Sequence, residues 1–187
     1  MVSVVVRPFR PEDAADLGEI YYGLYDERDA GEPVGITLFT SRPSHEDEAA
    51  WYDQQTRRMA SGDLLYLVAE VEGRAVGACS VARIGPTAAS EQAHVGELGI
   101  LVHRKMRGQG VGAALLEATL KEARSKFEVV YLTVFSFNER ARRLYERFGF
   151  VVCGHLPRMA KRGDLYFDME RMVLLLPNPP AGPVANR

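Results

Sequence analysis

The sequence predicts a mixed α/β fold, and three observations carry that expectation. Two β-rich runs, LLYLVAEVE and AVGACSVARI, are separated only by Gly73 and Arg74, the spacing of an antiparallel hairpin. Further on, a strand-like run ending at Val102, a helical stretch over 110–126 and the run EVVYLTVF follow one another. A strand, a crossover helix and a second strand require a parallel, right-handed unit. Finally, 187 residues with 47% hydrophobic and 26% charged side chains suit one globular domain without a metal or disulfide staple.

The elements follow in order. SVVVR, at 3–7, is rich in β-branched residues and Pro8 should stop it. From Pro11, Ala14, Leu17, Ile20, Tyr21 and Leu24 recur at helical spacing. GEPVGITLFTSRP is too rich in Gly and Pro for regular structure. Ser44 then caps a second helix, with Asp47 as its capping-box partner. After the hairpin, HVGELGILV forms a strand. On the helix over 110–126, Val111–Leu115, Leu116–Leu120 and Ala123–Phe127 are apolar i,i+4 pairs, and Glu117–Lys121 is a charge pair on the outer face. A last helix runs from the N-cap Asn138 to Gly149, its inner face made of Ala141, Leu144, Tyr145 and Phe148. FVVCG and LYFDMERMVLL are the closing strands. The expected organisation is one domain over 1–176 and a flexible, Pro-rich tail over 177–187.

Composition removes several function classes. Twenty-three basic against 25 acidic residues leave a net charge of −2, which argues against a nucleic-acid partner. No apolar run approaches the ~20 residues of a membrane span, and the opening residues are too short for a signal sequence. Cys79 and Cys153 cannot build a disulfide framework or a zinc cluster, and both read as core residues. No metal is expected, and a cytoplasmic location is.

The informative stretch runs from Val102 to Leu116. A strand ends, a loop carrying Arg104, Lys105 and Arg107 follows, and Gly108, Gly110 and Gly112 lead into a helix. Glycines there permit φ > 0 and keep Cβ atoms away from a ligand, so successive amides can converge at the positive end of a helix dipole. That describes a phosphate or diphosphate site, with the three cations as charge-assisted donors. A P-loop is excluded because no Lys-Ser or Lys-Thr follows the glycines. Gly108-x-Gly110-x-x-Ala113 fits the dinucleotide pattern. The acidic residue that pattern needs at the end of the next strand is missing, since Glu128 begins that strand.

With Arg107-Gly-Gln-Gly110-Val-Gly112 after a strand, and Asn138 followed seven residues later by Tyr145 ahead of Gly149-Phe150, the chain resembles the GNAT superfamily of acyl-CoA-dependent N-acyltransferases. The likeness runs from about Val4 to Leu175. It implies a mixed, mostly antiparallel sheet of about seven strands with one parallel strand–helix–strand unit and helices on both faces. It also implies acetyl-CoA as co-substrate, its diphosphate on the amides of Arg107, Gly108, Gln109, Gly110, Val111, Gly112 and Ala113. The pantetheine arm would lie between the diverging fourth and fifth strands, against the backbone of Ile100, Leu101 and Val102, with Asn138 binding it as well as capping its helix. Gly99 suits a bulge that splays those strands.

The same likeness assigns chemistry. A lysine-like amine is almost wholly protonated at pH 7, a cost of roughly 4.6 kcal/mol, so a base is valuable. Glu97 is the candidate, with His94 as a weaker alternative. Tyr145 is the candidate acid for the departing thiolate, and transfer is expected to be direct, within a ternary complex. Acceptor-facing segments would be the loop after the first helix and the basic connection 155–162 between the last two strands. A small amine or amino-acid-like acceptor is the leading reading. Protein N-terminal or lysine acetylation and a non-catalytic acyl-CoA-binding regulator stay open, as does a homodimer.

Overall fold

The computed structural model describes residues 3–85 and 89–177. Most of the expected tail, from residue 178 on, lies outside the described residues. The strands are β1 (Val5–Pro8), β2 (Leu64–Val71), β3 (Arg74–Arg83), β4 (Val95–Val102), β5 (Val129–Phe135), β6 (Val151–Arg162) and β7 (Leu165–Leu175). The α-helices are α1 (Ala14–Asp29), α2 (His45–Ala60), α3 (Val111–Ala123) and α4 (Glu139–Arg147). One sheet holds all seven strands in the order β1-β2-β3-β4-β5-β7-β6. Only β4–β5 is parallel.

Burial splits the helices between two faces. Strands alternate their side chains, and one set packs under α3 and α4: Leu67, Cys79, Val81, Leu98, Val130 and Leu132 meet Leu115, Leu116, Leu120 and Tyr145. The three i,i+4 pairs read from the sequence of α3 all face this core, with Phe127 closing it. The opposite face of β2 and β3, through Tyr66, Val68 and Ala78, takes Leu17 and Ile20 of α1, with Tyr52 and Met59 of α2 packed against them. Ser44 caps α2 as expected, its hydroxyl accepting from the Asp47 amide at 3.1 Å.

Three expectations need correction. The β2–β3 turn is Glu72-Gly73, one residue earlier than Gly73-Arg74, because both turn residues take positive φ (51° and 79°) as this tight hairpin demands. Strand β6 does not stop at Gly154 but runs to Arg162, and the connection to β7 is the short turn at Gly163-Asp164. Of its two register shifts, at Val152/Gly154 and Leu156/Ala160, the second accommodates Pro157 and the left-handed Arg158 (φ 55°). The basic segment 155–162 is therefore an edge strand, not a loop. Cys153 lies at the first of these irregularities and is exposed rather than core.

Cys79, by contrast, is fully buried, and burial pushes its thiol up to about 12. At pH 8 Cys79 is therefore a protonated thiol shielded from solvent. A maleimide at that pH should label one of the two cysteines in the native protein and both after unfolding. Native modification of Cys79, read by peptide mass mapping, would contradict this packing.

Candidate functional site

The site begins where the parallel pair fails. β4 and β5 are paired only at Val95–Val129, Gly96–Val130 and Glu97–Tyr131. Beyond Glu97, β4 continues for five residues with β3 on one side and no strand partner on the other. Which backbone groups face the opening follows from two bonds. His103 N–H donates to the Val76 carbonyl at 2.8 Å and Ile84 N–H to the Val95 carbonyl at 3.3 Å. Odd-numbered residues of β4 thus spend their backbone on β3, and even-numbered ones turn theirs toward β5. Ile100 offers N–H and C=O to the opening and Val102 its N–H, while Leu101 is paired with Ala78 in β3. The β3–β4 register runs unbroken through Gly99, so the strands part without the bulge expected there.

At the open end, a short 3-10 turn (Arg104–Met106) leads to the glycine turn. Gly108 and Gly110 take φ of 85° and 91°, which only glycine adopts without strain. Gly110 is the N-cap of α3 and offers no side-chain cap. From Gly108 to Ala113 six successive amides find no acceptor among the described residues; the first α3 bond is Ala114 N–H to the Gly110 carbonyl at 3.0 Å. A Cβ at Gly110 would meet nothing within 4 Å, so the space over these amides is free. Six donors at a helix N-terminus form an anion cradle.

Two of the three cations expected as donors are turned elsewhere. Arg107 donates to both oxygens of Glu27, in the last turn of α1, at 2.6 and 2.8 Å, and from Nε to the Val102 carbonyl at 3.0 Å. Arg104 pairs with Glu32 at 2.7 Å. Arg107 is therefore a brace: it fixes the turn to the end of β4 and to α1. Lys105, the third, makes no ion pair among the described residues, and a further cation not expected from the sequence, Arg140 of α4, faces the turn. A Cβ placed at Gly108 would come within 2.5 Å of its guanidinium, and Arg140 has no ion pair among the described residues. Its position two residues after Asn138, on a helix facing the turn, was the available signal.

Tyr145 stands on α4 in the core under the opening. It is buried, edge-on to Phe150 with ring centroids 5.9 Å apart, and its hydroxyl has no hydrogen-bond partner among the described residues. Burial first, and the neighbouring Cys79 thiol second, raise the phenol well above its ordinary range, so it stays protonated. Cys79 is the cross-strand partner of Ile100, which places the phenol over the rung whose backbone faces the opening. Glu97 sits at the last paired rung, on the sheet face opposite Tyr145, and is exposed. Asn138 Oδ1 caps α4 through the Ala141 amide at 3.2 Å, while its Nδ2 abuts Gly35. His94 precedes β4 at its closed end and is engaged there, its carbonyl accepting from the amides of Glu128 and Val129.

The α1–α2 loop walls the opening. Arg162, at the end of β6, donates to the carbonyls of Val34 and Ile36 at 2.8 and 2.9 Å and lies over the Phe135 ring at 4.8 Å. Phe135, Phe137 and Phe167 form an aromatic cluster beside it.

A strand pair that parts over a phenol, with six free amides at its mouth, defines a protein whose sheet opens into a cleft between two strands. Residues 36–150 match the profile of the Acetyltransferase (GNAT) family, well over half of the chain, and the chain belongs to that family. Mycothiol acetyltransferase of Acidimicrobium ferrooxidans is 36% identical over 143 residues, 64% of this chain and 45% of that protein. The match thus spans less than half the length of that relative. The L-amino acid N-acetyltransferase AaaT of Escherichia coli is 27% identical over 135 residues, 71% of this chain and 80% of that one. The structure of yncA from Salmonella typhimurium with its cofactor acetyl-CoA has the same fold, with a TM-score of 0.80 at 23% identity over 98% of this chain and 99% of that chain.

The Arg107–Glu27 brace makes a measurable prediction. Arg107→Ala or Glu27→Ala should each cost about 2–4 kcal/mol, the lower figure because the guanidinium is 33% exposed. In a double-mutant cycle read by urea unfolding, the pair should couple by ~1–3 kcal/mol. Additive losses would show that the two side chains act independently.

Proposed function

We propose that the chain is an N-acetyltransferase that moves the acetyl group of acetyl-CoA to a primary amine of a small or amino-acid-like acceptor, by direct attack in a ternary complex. The observation that carries this reading is the run of six unpaired amides from Gly108 to Ala113 at the head of α3. Those amides, with Arg140 beside them, would hold the diphosphate. The N–H and C=O of Ile100 and the N–H of Val102 would bond the pantetheine arm as a strand edge bonds its neighbour, with Asn138 Nδ2 reaching it from α4. The family membership and the acetyl-CoA bound to the similarly folded yncA support this assignment.

The chemistry then divides between the two faces of the sheet. Glu97 accepts a proton from the incoming amine on the exposed side. The new C–N bond forms as the C–S bond breaks, and negative charge builds on the thioester oxygen and then on sulfur. Backbone N–H at the opening stabilises the first of these. Tyr145 donates its proton to the second, and its raised pKa keeps that proton available across the neutral range. The sign is definite: a phenol held above its usual value is an acid throughout pH 6–9 and does not itself titrate there.

Tyr145→Phe should lower kcat by about 10–100-fold with acetyl-CoA affinity nearly unchanged. The check is a thiol-release assay alongside calorimetric titration of acetyl-CoA, and an unaltered kcat would remove Tyr145 from the mechanism. Gly110→Glu places a like charge and bulk over the cradle at a positive-φ position, and should abolish acetyl-CoA binding. Undiminished binding would overturn the anion-site assignment.

A further inference from the structure

Glu97 has neighbours that the acyl-transfer reading leaves unused. Tyr131 is its partner across β4–β5, and Arg171 is the partner of Thr133 across β5–β7. Side chains of a strand alternate faces. The residues of opposite parity, Leu98, Val130, Leu132 and Met172, are buried under α3. Glu97, Tyr131, Thr133 and Arg171 therefore share the other face. Beneath α1 and α2 the apolar cluster draws on β2 and β3, with Leu101 of β4 at its margin. No described residue of β5, β6 or β7 joins that cluster, so the sheet around Arg171 is left open.

Arg171 is exposed, and its guanidinium lies 5.0 Å from the centre of the Tyr131 ring. It makes no ion pair among the described residues, and neither does Glu97. Some surface arginines are paired, Arg74 with Asp16, Arg104 with Glu32 and Arg143 with Glu139, and others are not; what sets Arg171 apart is its place over the ring of Glu97's cross-strand partner. Both unpaired charges are felt by the same phenol. Burial raises the Tyr131 pKa, the Glu97 carboxylate adds to the rise, and Arg171 opposes it. A carboxylate and a guanidinium thus flank one tyrosine ring at the rung where the strands part.

We propose that Arg171 binds the carboxylate of the acceptor while Glu97 receives its amine, which makes free α-amino acids, or analogues with the same spacing of charges, the acceptor class. A planar guanidinium takes a carboxylate through two parallel hydrogen bonds, which fixes orientation as well as position. The acceptor's amine is thereby aimed at the opening between β4 and β5. Chain N-termini and lysine side chains lack a free carboxylate beside the amine and leave Arg171 unsatisfied. This inference rests on the acyl-transfer reading of Glu97.

The test pairs L-α-amino acids with the amines left by their decarboxylation in the thiol-release assay. For the wild-type protein, kcat/KM should favour the amino acid over its decarboxylated amine by roughly 10–100-fold. Arg171→Gln should collapse that ratio toward one through KM for the amino acid, and Arg171→Lys should leave it intermediate. A wild-type ratio near one, or a ratio that survives Arg171→Gln, overturns the proposal. If acetyl-CoA binds but no amine is acetylated, the acyl-transfer reading itself has failed. Calorimetric titration of L-amino acids into the protein saturated with coenzyme A then decides Arg171 alone: binding that Arg171→Gln removes upholds it, and absence of binding overturns it.

Discussion

The fold turns on a strand pair that is allowed to fail. A parallel pair of seven- and eight-residue strands normally zips along its length, but β4 and β5 share only three rungs. Two unpaired strand edges inside a sheet are costly unless something else satisfies them. Here the cost falls on even-numbered residues of β4, and one of those groups is answered locally: Arg107 takes the Val102 carbonyl. The remainder, at Ile100 and the Val102 amide, is a short stretch of open strand edge. It has the hydrogen-bonding character of a sheet and the accessibility of a cleft, which suits an amide-containing arm such as pantetheine.

The same economy of partners explains the glycine turn. Arg107 is the cation one would place on a phosphate from sequence, yet a bidentate bond to a buried carboxylate is the better use of its planar fork. Glu27 lies in the last turn of α1, before the loop that Arg162 holds down through Val34 and Ile36. The glycine turn and the α1–α2 loop, the proposed coenzyme and acceptor sides, are thus anchored to one helix end. Charge for the proposed diphosphate would come from the amides themselves and from Arg140, whose guanidinium lies against Gly108.

How far the sequence could be read depended on whether local pattern and final environment agreed. α3 was legible because its apolar pairs and its glycine-rich start are local facts, and the core merely accepts them. The Glu72-Gly73 turn was misplaced by one residue because Glu at positive φ is a poor local choice, imposed by the hairpin twist. The sequence leaves strand β6 short at Gly154, since an edge strand with Pro157 and three Lys or Arg side chains over 155–162 has no burial alternation to betray it. The roles of Arg107 and Arg171 were illegible for a different reason. Each depends on a partner, or the lack of one, 80 residues away for Glu27 and across the β5–β7 pair for Tyr131.

Charge placement across the sheet completes the argument. A net charge of −2 hides a sharp local order. Acids such as Glu27, Glu32 and Asp16 are matched by arginines along α1 and its loop. Among the charges without an ion pair in the described residues, Arg140 above the turn and Glu97 with Arg171 at the parting rung lie where the proposed ligands would carry the opposite sign. A guanidinium over the ring of Glu97's cross-strand partner, on a face of the sheet that no helix covers, is placed to meet an acceptor that brings a carboxylate. A carboxylate delivered by the acceptor would give Arg171 an ion pair made only when the substrate is in place.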